Sequence, residues 1–420
     1  VRIWWPNQDY FNFQPESLAN YYAAQEGRAS SPFLGDYFVY FFRRLDEYLG
    51  DAQTRQGIYD IWMHRDFDAF LSSRGQSTEL SDWSPARTMR MYVRKDLVAQ
   101  IWNFGVEASP EEIVADPYEG GGIALPASLD VGTLGVELGQ LNAPRSLAYA
   151  PDGSFYVADS NNHRIVHYGA DGNPTNAWGS FGDAATNAGV GGTFLEPWGV
   201  AVSPDGEYVY VADTWNHRIQ KFDADGNFIT MWGSFGQGAD GAFLWGPRDV
   251  VVTNEGHVLV TDTGNKLIKV YDEDGNFITQ TGGFGLELGY FDEPVGLAYD
   301  GELNRVYVAD TWNQRVQVLS YENGIFETLD EWTIAGWYGQ SLDNKPYLAV
   351  GADNQVFIAD PERGRVLVYN ADGEFQYFWG GPDQSAVQIG IALGIAAHPD
   401  GGVWVSDSVN NRLLYFEPPQ

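Results

Sequence analysis

From about residue 144 to the C-terminus the chain is written in short apolar runs, cut apart by turn residues at nearly even spacing. In one unit, residues 199–203 form an apolar run, Pro204-Asp205-Gly206 is turn chemistry, and 208–212 is a second run. Two more runs, 219–223 and 228–233, flank Ala224-Asp225-Gly226-Asn227. Runs this short, bounded by Asp-Gly turns, predict four strands per unit. The first turn recurs at Pro151-Asp152-Gly153, Asn254-Glu255-Gly256 and Pro399-Asp400-Gly401. The second recurs at Ala170-Asp171-Gly172, Glu273-Asp274-Gly275 and Ala371-Asp372-Gly373.

Between its second and third predicted strands each unit carries one polar frame. Val211-Ala212-Asp213-Thr214-Trp215-Asn216-His217-Arg218-Ile219 is a full copy. Asp159, Asp262, Asp310, Asp360 and Asp407 head the others, about fifty residues apart. Arg164, Arg218, Arg315, Arg365 and Arg412 follow their aspartates at a fixed offset; the third copy has Leu267 there, and the fifth has Arg363 in place of Asn. A four-stranded unit cannot bury both faces alone, so the repeats predict a mainly β fold, a six-bladed propeller. Asn216-His217-Arg218-Ile219 and Asn162-His163-Arg164-Ile165, with the Asp-x-x-Asn-x-Arg frames around them, resemble the NHL-repeat propellers over roughly 125–420. The last unit stops after its third strand, at 412–416. Residues 124–134 are expected to supply the fourth and so close the ring without an open edge.

The first 110 residues lack the repeat. Helices are expected at 32–49, 52–64, 67–72 and 94–104 and a strand at 88–93, a small α/β, largely helical domain. Residues 111–124, with an acidic run and Gly120-Gly121-Gly122, read as a linker. The order of Trp-rich start, strand and helix, then propeller, resembles the extracytoplasmic C-terminal part of bacterial membrane glycosyltransferases of mannosyltransferase or oligosaccharyltransferase type. Trp4-Trp5-Pro6 is not the Trp-Trp-Asp of oligosaccharyltransferases, so no catalytic residue carries over. The likeness implies an extracytoplasmic, cell-surface module, processed or excised from a larger membrane protein.

Charge and composition narrow the function. A net charge of −33 argues against nucleic acid and anionic lipid surfaces as partners, since both require a basic face. Cysteine is absent, which removes disulfides, thiol nucleophiles and Cys-based zinc sites. No apolar run has transmembrane length, so no direct membrane insertion is expected. Serine-elbow, His-Glu-x-x-His and phosphate-loop motifs are missing, and a non-catalytic module that binds protein or glycan is the leading reading.

The loops point to a working face. The two hairpins of each unit are short Asp-Gly turns on one face. The opposite face carries Trp215 and Trp312, with Arg145, Trp198, Trp245, Arg248 and Tyr347 near the starts of the first strands and a long loop at 183–194. Exposed aromatics beside arginine suit a protein surface or a sugar ring. The other reading of the same side chains is packing between blades. The repeated Asp and Arg are expected to tie strands and loops together, and His163 and His217 to be structural. Among the NHL propellers, the amidating lyases use histidine metal ligands. A metal-dependent lyase or lactonase acting at the central channel is therefore the alternative function. Asp223-Ala-Asp225-Gly226-Asn227 and Asp272-Glu-Asp274-Gly275-Asn276 mimic the start of a calcium loop, but as hairpins they read first as turns. No cofactor is expected, with calcium the alternative.

Overall fold

The computed structural model describes residues 2–3, 11–12, 116–186, 190–238, 241–337, 345–381, 386–398 and 401–419. Two compact units separate, Val1–Ala115 and Asp116–Gln420. The described part of the first is an antiparallel pair, Arg2–Ile3 with Phe11–Asn12. The helices and strand expected between 32 and 104 lie outside the described residues.

The second unit consists of six four-stranded antiparallel sheets, the blades of a propeller. Blade 2 is typical: Pro197–Val202, Tyr208–Asp213, Arg218–Asp223 and Phe228–Trp232, each strand paired with the next. The polar frame forms a single 3-10 turn, Thr214–Asn216, and His217 after it is left-handed at φ 57°. The same position is taken by His163, Lys266, Gln314, Gly364 and Asn411 in the other blades. That one turn reverses the chain between second and third strands.

Apolar side chains fill the spaces between blades. Tyr156, Ile165, Val200, Val209, Val211 and Phe222 make one such layer between blades 1 and 2. At its outer end, tryptophans of fourth strands lie over the hairpin glycines of the next blade. A Cβ on Gly226 would sit 2.5 Å from the Trp178 ring, on Gly275 2.5 Å from Trp232, and on Gly373 2.2 Å from Trp332. Gly226 also holds φ 87°, so two constraints select glycine there.

The sixth sheet takes its outer strand from ahead of the first repeat. Leu129–Val131 pairs with Arg412–Phe416, Val131 opposite Leu413 and Leu129 opposite Tyr415. Part of the stretch expected to be linker is also built into the propeller. Asp116 receives both terminal nitrogens of Arg365, at 2.5 and 3.1 Å, and Tyr118 meets the Tyr369 hydroxyl at 2.9 Å. Ile123 N–H donates to the Phe378 carbonyl, and Phe378 N–H to that of Gly121. Residues 116–131 thus strap the outer edges of blades 5 and 6. Asp116 also explains Arg363, whose guanidinium reaches the same carboxylate at 3.6 Å.

Candidate binding face

The repeated frame works as a clamp on the loop that precedes its own blade. Asp213 is fully buried. Its Oδ1 accepts from Leu195 N–H (2.8 Å), and its Oδ2 accepts from Asn216 (2.9 Å), Arg218 Nε (2.7 Å) and Gln220 (2.9 Å). The donors then reach the loop: Asn216 donates to the Gly182 carbonyl at 2.8 Å and Arg218 to that of Thr193 at 2.8 Å. Blade 1 repeats this with Asp159, Asn162 and Arg164, and blade 4 with Asp310, Asn313 and Arg315. Asp360–Arg365 and Asp407–Arg412 are paired likewise at 2.6 and 2.9 Å. A buried carboxylate must be matched by charge or hydrogen bonds, and five of the clamps use an arginine.

Blade 3 solves the same problem differently. Leu267 leaves Asp262 without its arginine, and Lys269, two residues further along the strand, reaches it at 3.1 Å with both side chains fully buried. The ammonium continues to the Phe243 carbonyl, so the loop is still held.

The clamped loops share a fold. In four consecutive ones a backbone bridge joins an outer to an inner apolar residue: Leu134 to Leu141, Phe181 to Phe194, Phe235 to Leu244 and Phe284 to Phe291. The inner members are fully buried, whereas the outer ones stay 64, 61, 61 and 47% exposed. Val136, Leu138, Leu288 and Tyr290 on the same loops are also exposed. An apolar crescent therefore runs over four blades, each part of it fixed by a clamp. The signal was present in the sequence as Gly-x-Phe-Gly at 179–182, 233–236 and 282–285, with Leu134 in the corresponding place.

The expected working-face residues sit elsewhere on this face. Of the two readings of Trp198 and Tyr347, packing describes them: each is only 2% exposed, and Arg145 and Arg248 are buried too. They begin first strands, which converge on the propeller axis, so their side chains meet one another instead of solvent. Arg145 lies over the Trp198 ring at 3.6 Å and Arg248 lies at 4.5 Å, a cation–aromatic stack contributed by three blades. Tyr347 donates to the Arg248 carbonyl at 3.0 Å. Trp215, half-buried, meets Trp198 edge-on and donates to Glu196 at 3.0 Å. Trp312 lies within 5.4 Å of Lys266 and 5.3 Å of Lys345. Trp245 packs on Gly264 and Phe235.

Sequence reasoning missed three members of the axial group: Lys345, Glu293 and Asp249. Arg248 and the fully buried Lys345 share one carboxylate, that of Glu293, at 3.4 and 3.2 Å. Burial alone would raise Glu293, but Lys345, Arg248 and Lys266 outweigh it and hold its carboxyl below the usual value. Burial, with repulsion from Arg248, lowers Lys345 to about 8 against the pull of Glu293. Asp292 is raised to about 7 by burial, although Lys266 stands 3.5 Å away. Asp249 is raised well above the ordinary range by burial, its oxygens bonded to the N–H groups of Val250 and Leu297.

The histidines and turn aspartates behind the two metal readings are engaged in hydrogen bonds within the fold. His163 and His217 accept the backbone N–H of Glu196 and Gly246 through Nδ1, at 3.1 and 3.0 Å, stapling each blade to the next. Burial lowers His217 to about 4, as suits an acceptor. Asp223 and Asp272 use both oxygens on Asn227 and Asn276 of their own turns. Among the described residues no three His, Asp or Glu side chains converge. The axis instead pairs Arg248 and Lys345 with the Glu293 carboxylate.

Comparison with known proteins agrees with the architecture. The NHL repeat profile matches residues 141–168, 194–222, 244–271 and 291–319. The chain carries NHL repeats, and they form a six-bladed β-propeller. These matches lend no support to the glycosyltransferase likeness of residues 1 to about 104. Over 65 residues the chain is 46% identical to Protein brain tumor of Drosophila melanogaster, which is 16% of this chain and 6% of that protein's length. Among solved structures, a gluconolactonase from Xanthomonas campestris is 16% identical with a TM-score of 0.48, covering 71% of this chain and 98% of its own. A virginiamycin B lyase from Staphylococcus aureus, bound to quinupristin, is 13% identical with a TM-score of 0.45, covering 67% of this chain and 83% of its own. Neither likeness bears on activity.

Proposed function

We propose that the propeller is a non-catalytic binding module whose loop face docks a protein partner. The observation that carries this reading is the crescent of Leu134, Phe181, Phe235 and Phe284, an apolar surface spread over four adjacent loops. Exposed apolar patches of this extent mark interaction surfaces, and clamped loops lose little entropy when a partner arrives. Aliphatic members such as Val136 and Leu288 favour a protein over a sugar, which stacks on flat rings. With a chain charge of −33, the partner presents its apolar anchors among lysines and arginines.

A photoreactive phenylalanine at position 235 tests this in the source cells. It should crosslink one discrete protein, the product should disappear when Phe181→Ser and Phe284→Ser are added, and a probe at Asp225 on the hairpin face should give none. Products equal from both faces, or insensitive to the two substitutions, would remove the reading. Saturable glycan binding lost in the same variants would reassign the face to sugars. Because these side chains are exposed, the substitutions should change stability by only about 0.5 kcal/mol each.

A further inference from the structure

The axial group at the loop face holds hydrogen-bond donors that nothing among the described residues answers. Trp198 Nε1 and Arg248 Nη1 are both buried, and neither has an acceptor among the described residues. They belong to neighbouring side chains, the Arg248 guanidinium lying 4.5 Å over the Trp198 ring. Arg248 is more than nine-tenths buried, and its other contact, Nη2 to Glu293, is at the long end for an ion pair at 3.4 Å. Glu293 is shared with Lys345, which approaches it at 3.2 Å, so two buried cations lean on one carboxylate. Buried charge without a full partner costs several kcal/mol, and a buried donor left open costs about 1–3 kcal/mol. Both vacancies call for an acceptor with negative charge.

We propose that the axial mouth binds a small oxyanion, a carboxylate or a phosphate, through Arg248 and Trp198, with Lys345 adding charge. Three features specify this chemistry. The vacant groups are donors only, so a cation or a hydrocarbon would leave them vacant. Guanidinium and indole N–H groups held in one stack suit planar or tetrahedral oxygens, as arginine does wherever carboxylate or phosphate is recognised. The surrounding Tyr347 hydroxyl donates to the Arg248 carbonyl, and the Asp249 carboxyl accepts from the N–H groups of Val250 and Leu297. The site also departs from the repeat: the residues equivalent to Arg145, Trp198 and Arg248 in blades 4 to 6 are Val295, Pro346 and Leu393. The fold does not require a cation at this position. This inference is independent of the docking surface, which uses different side chains.

Calorimetric titration of the full chain with sodium phosphate, and separately with sodium acetate, at an ionic strength fixed with sodium chloride, tests it. The wild-type chain should bind at least one of the two saturably and gain thermal stability as it does so. Whichever anion saturates at lower concentration tells phosphate from carboxylate. Arg248→Gln should weaken binding tenfold or more, on the order expected for a charged hydrogen bond. Trp198→Phe keeps an aromatic face for both guanidiniums and removes the indole donor together with the pyrrole half of the ring. It should weaken binding severalfold with unchanged circular dichroism, and it decides the matter if Arg248→Gln fails to fold. No saturable binding of either anion by the wild-type chain would show that water fills the vacancies and overturn the proposal. Unchanged affinity in folded Arg248→Gln or Trp198→Phe would do the same.

Discussion

The clamp around Asp213 and the cluster around Trp198 are both buried, charged and dense in hydrogen bonds, yet they obey opposite rules. The clamp's buried aspartate–cation pair occurs in every blade, and where blade 3 loses its arginine a lysine from another strand position restores the charge balance. Its requirement is electrostatic, not positional, and any cation that reaches the carboxylate meets it. The axial cluster occurs once, from Arg145, Trp198, Arg248, Glu293 and Lys345, and two of its donors stay open among the described residues. A repeated polar network signals what the fold needs.

The most damaging test of this contrast is Asp213→Ala. It strands Arg218, Asn216 and Gln220 together, and urea unfolding should show a loss of about 3–5 kcal/mol. Anion affinity at the axis should stay as it was, since no axial donor bonds to Asp213.

Blade 3 sharpens the contrast. Lys269→Met should cost about 3 kcal/mol by leaving Asp262 buried without a cation. The double change Leu267→Arg with Lys269→Gln writes the blade 2 pattern into blade 3 and should recover more than half of that loss. If the double variant is no more stable than Lys269→Met, charge balance is not what the repeat maintains.

A pH dependence at the edge of the axial group tests the contrast in another way. Asp292 has its folded pKa raised to about 7, above its unfolded value, so the folded state holds its proton more tightly. Its favourable contribution is complete below the unfolded pKa and is lost as pH rises towards 7. Asp292→Asn keeps a neutral group there at every pH. Its stability relative to wild type should therefore climb from about pH 4 to 7 and then level off, measured by urea midpoints across that range. A flat difference would mean that Asp292 is already ionised at pH 4.

The clamp was legible in the sequence because Asp213 and its counterparts recur at a fixed period with fixed offsets to Asn and Arg. Lys269 was not, since a pattern read position by position does not show that a side chain two residues along a strand points to the same carboxylate. Trp198, Arg145 and Arg248 could be singled out, but their burial could not. Whether the start of a first strand faces solvent depends on how closely six strands meet at the axis. Lys345 and Glu293 join the cluster from blades that share no local pattern with it. The exposed Phe181, Phe235 and Phe284 were spelled out by Gly-x-Phe-Gly, but phenylalanine between strands reads as core until the bridge to Phe194 or Leu244 shows which partner is inside.

The strap has a consequence for how this ring comes into being. Asp130 meets Arg412 at 2.7 Å across 282 residues of chain, beside the pairing of Leu129–Val131 with the last strand. Bringing ends so distant together costs about 5 kcal/mol in loop-closure entropy, with almost no local reward along the way. Blades 1 to 4, built from hairpins, can assemble early and cheaply. The closing strand leaves the ribosome before any blade and must wait, unpaired, until the last one is made. Ring closure is therefore the late, slow event of folding, and the half-closed chain, with the edge of blade 6 open, is the species most exposed to pairing with a second copy.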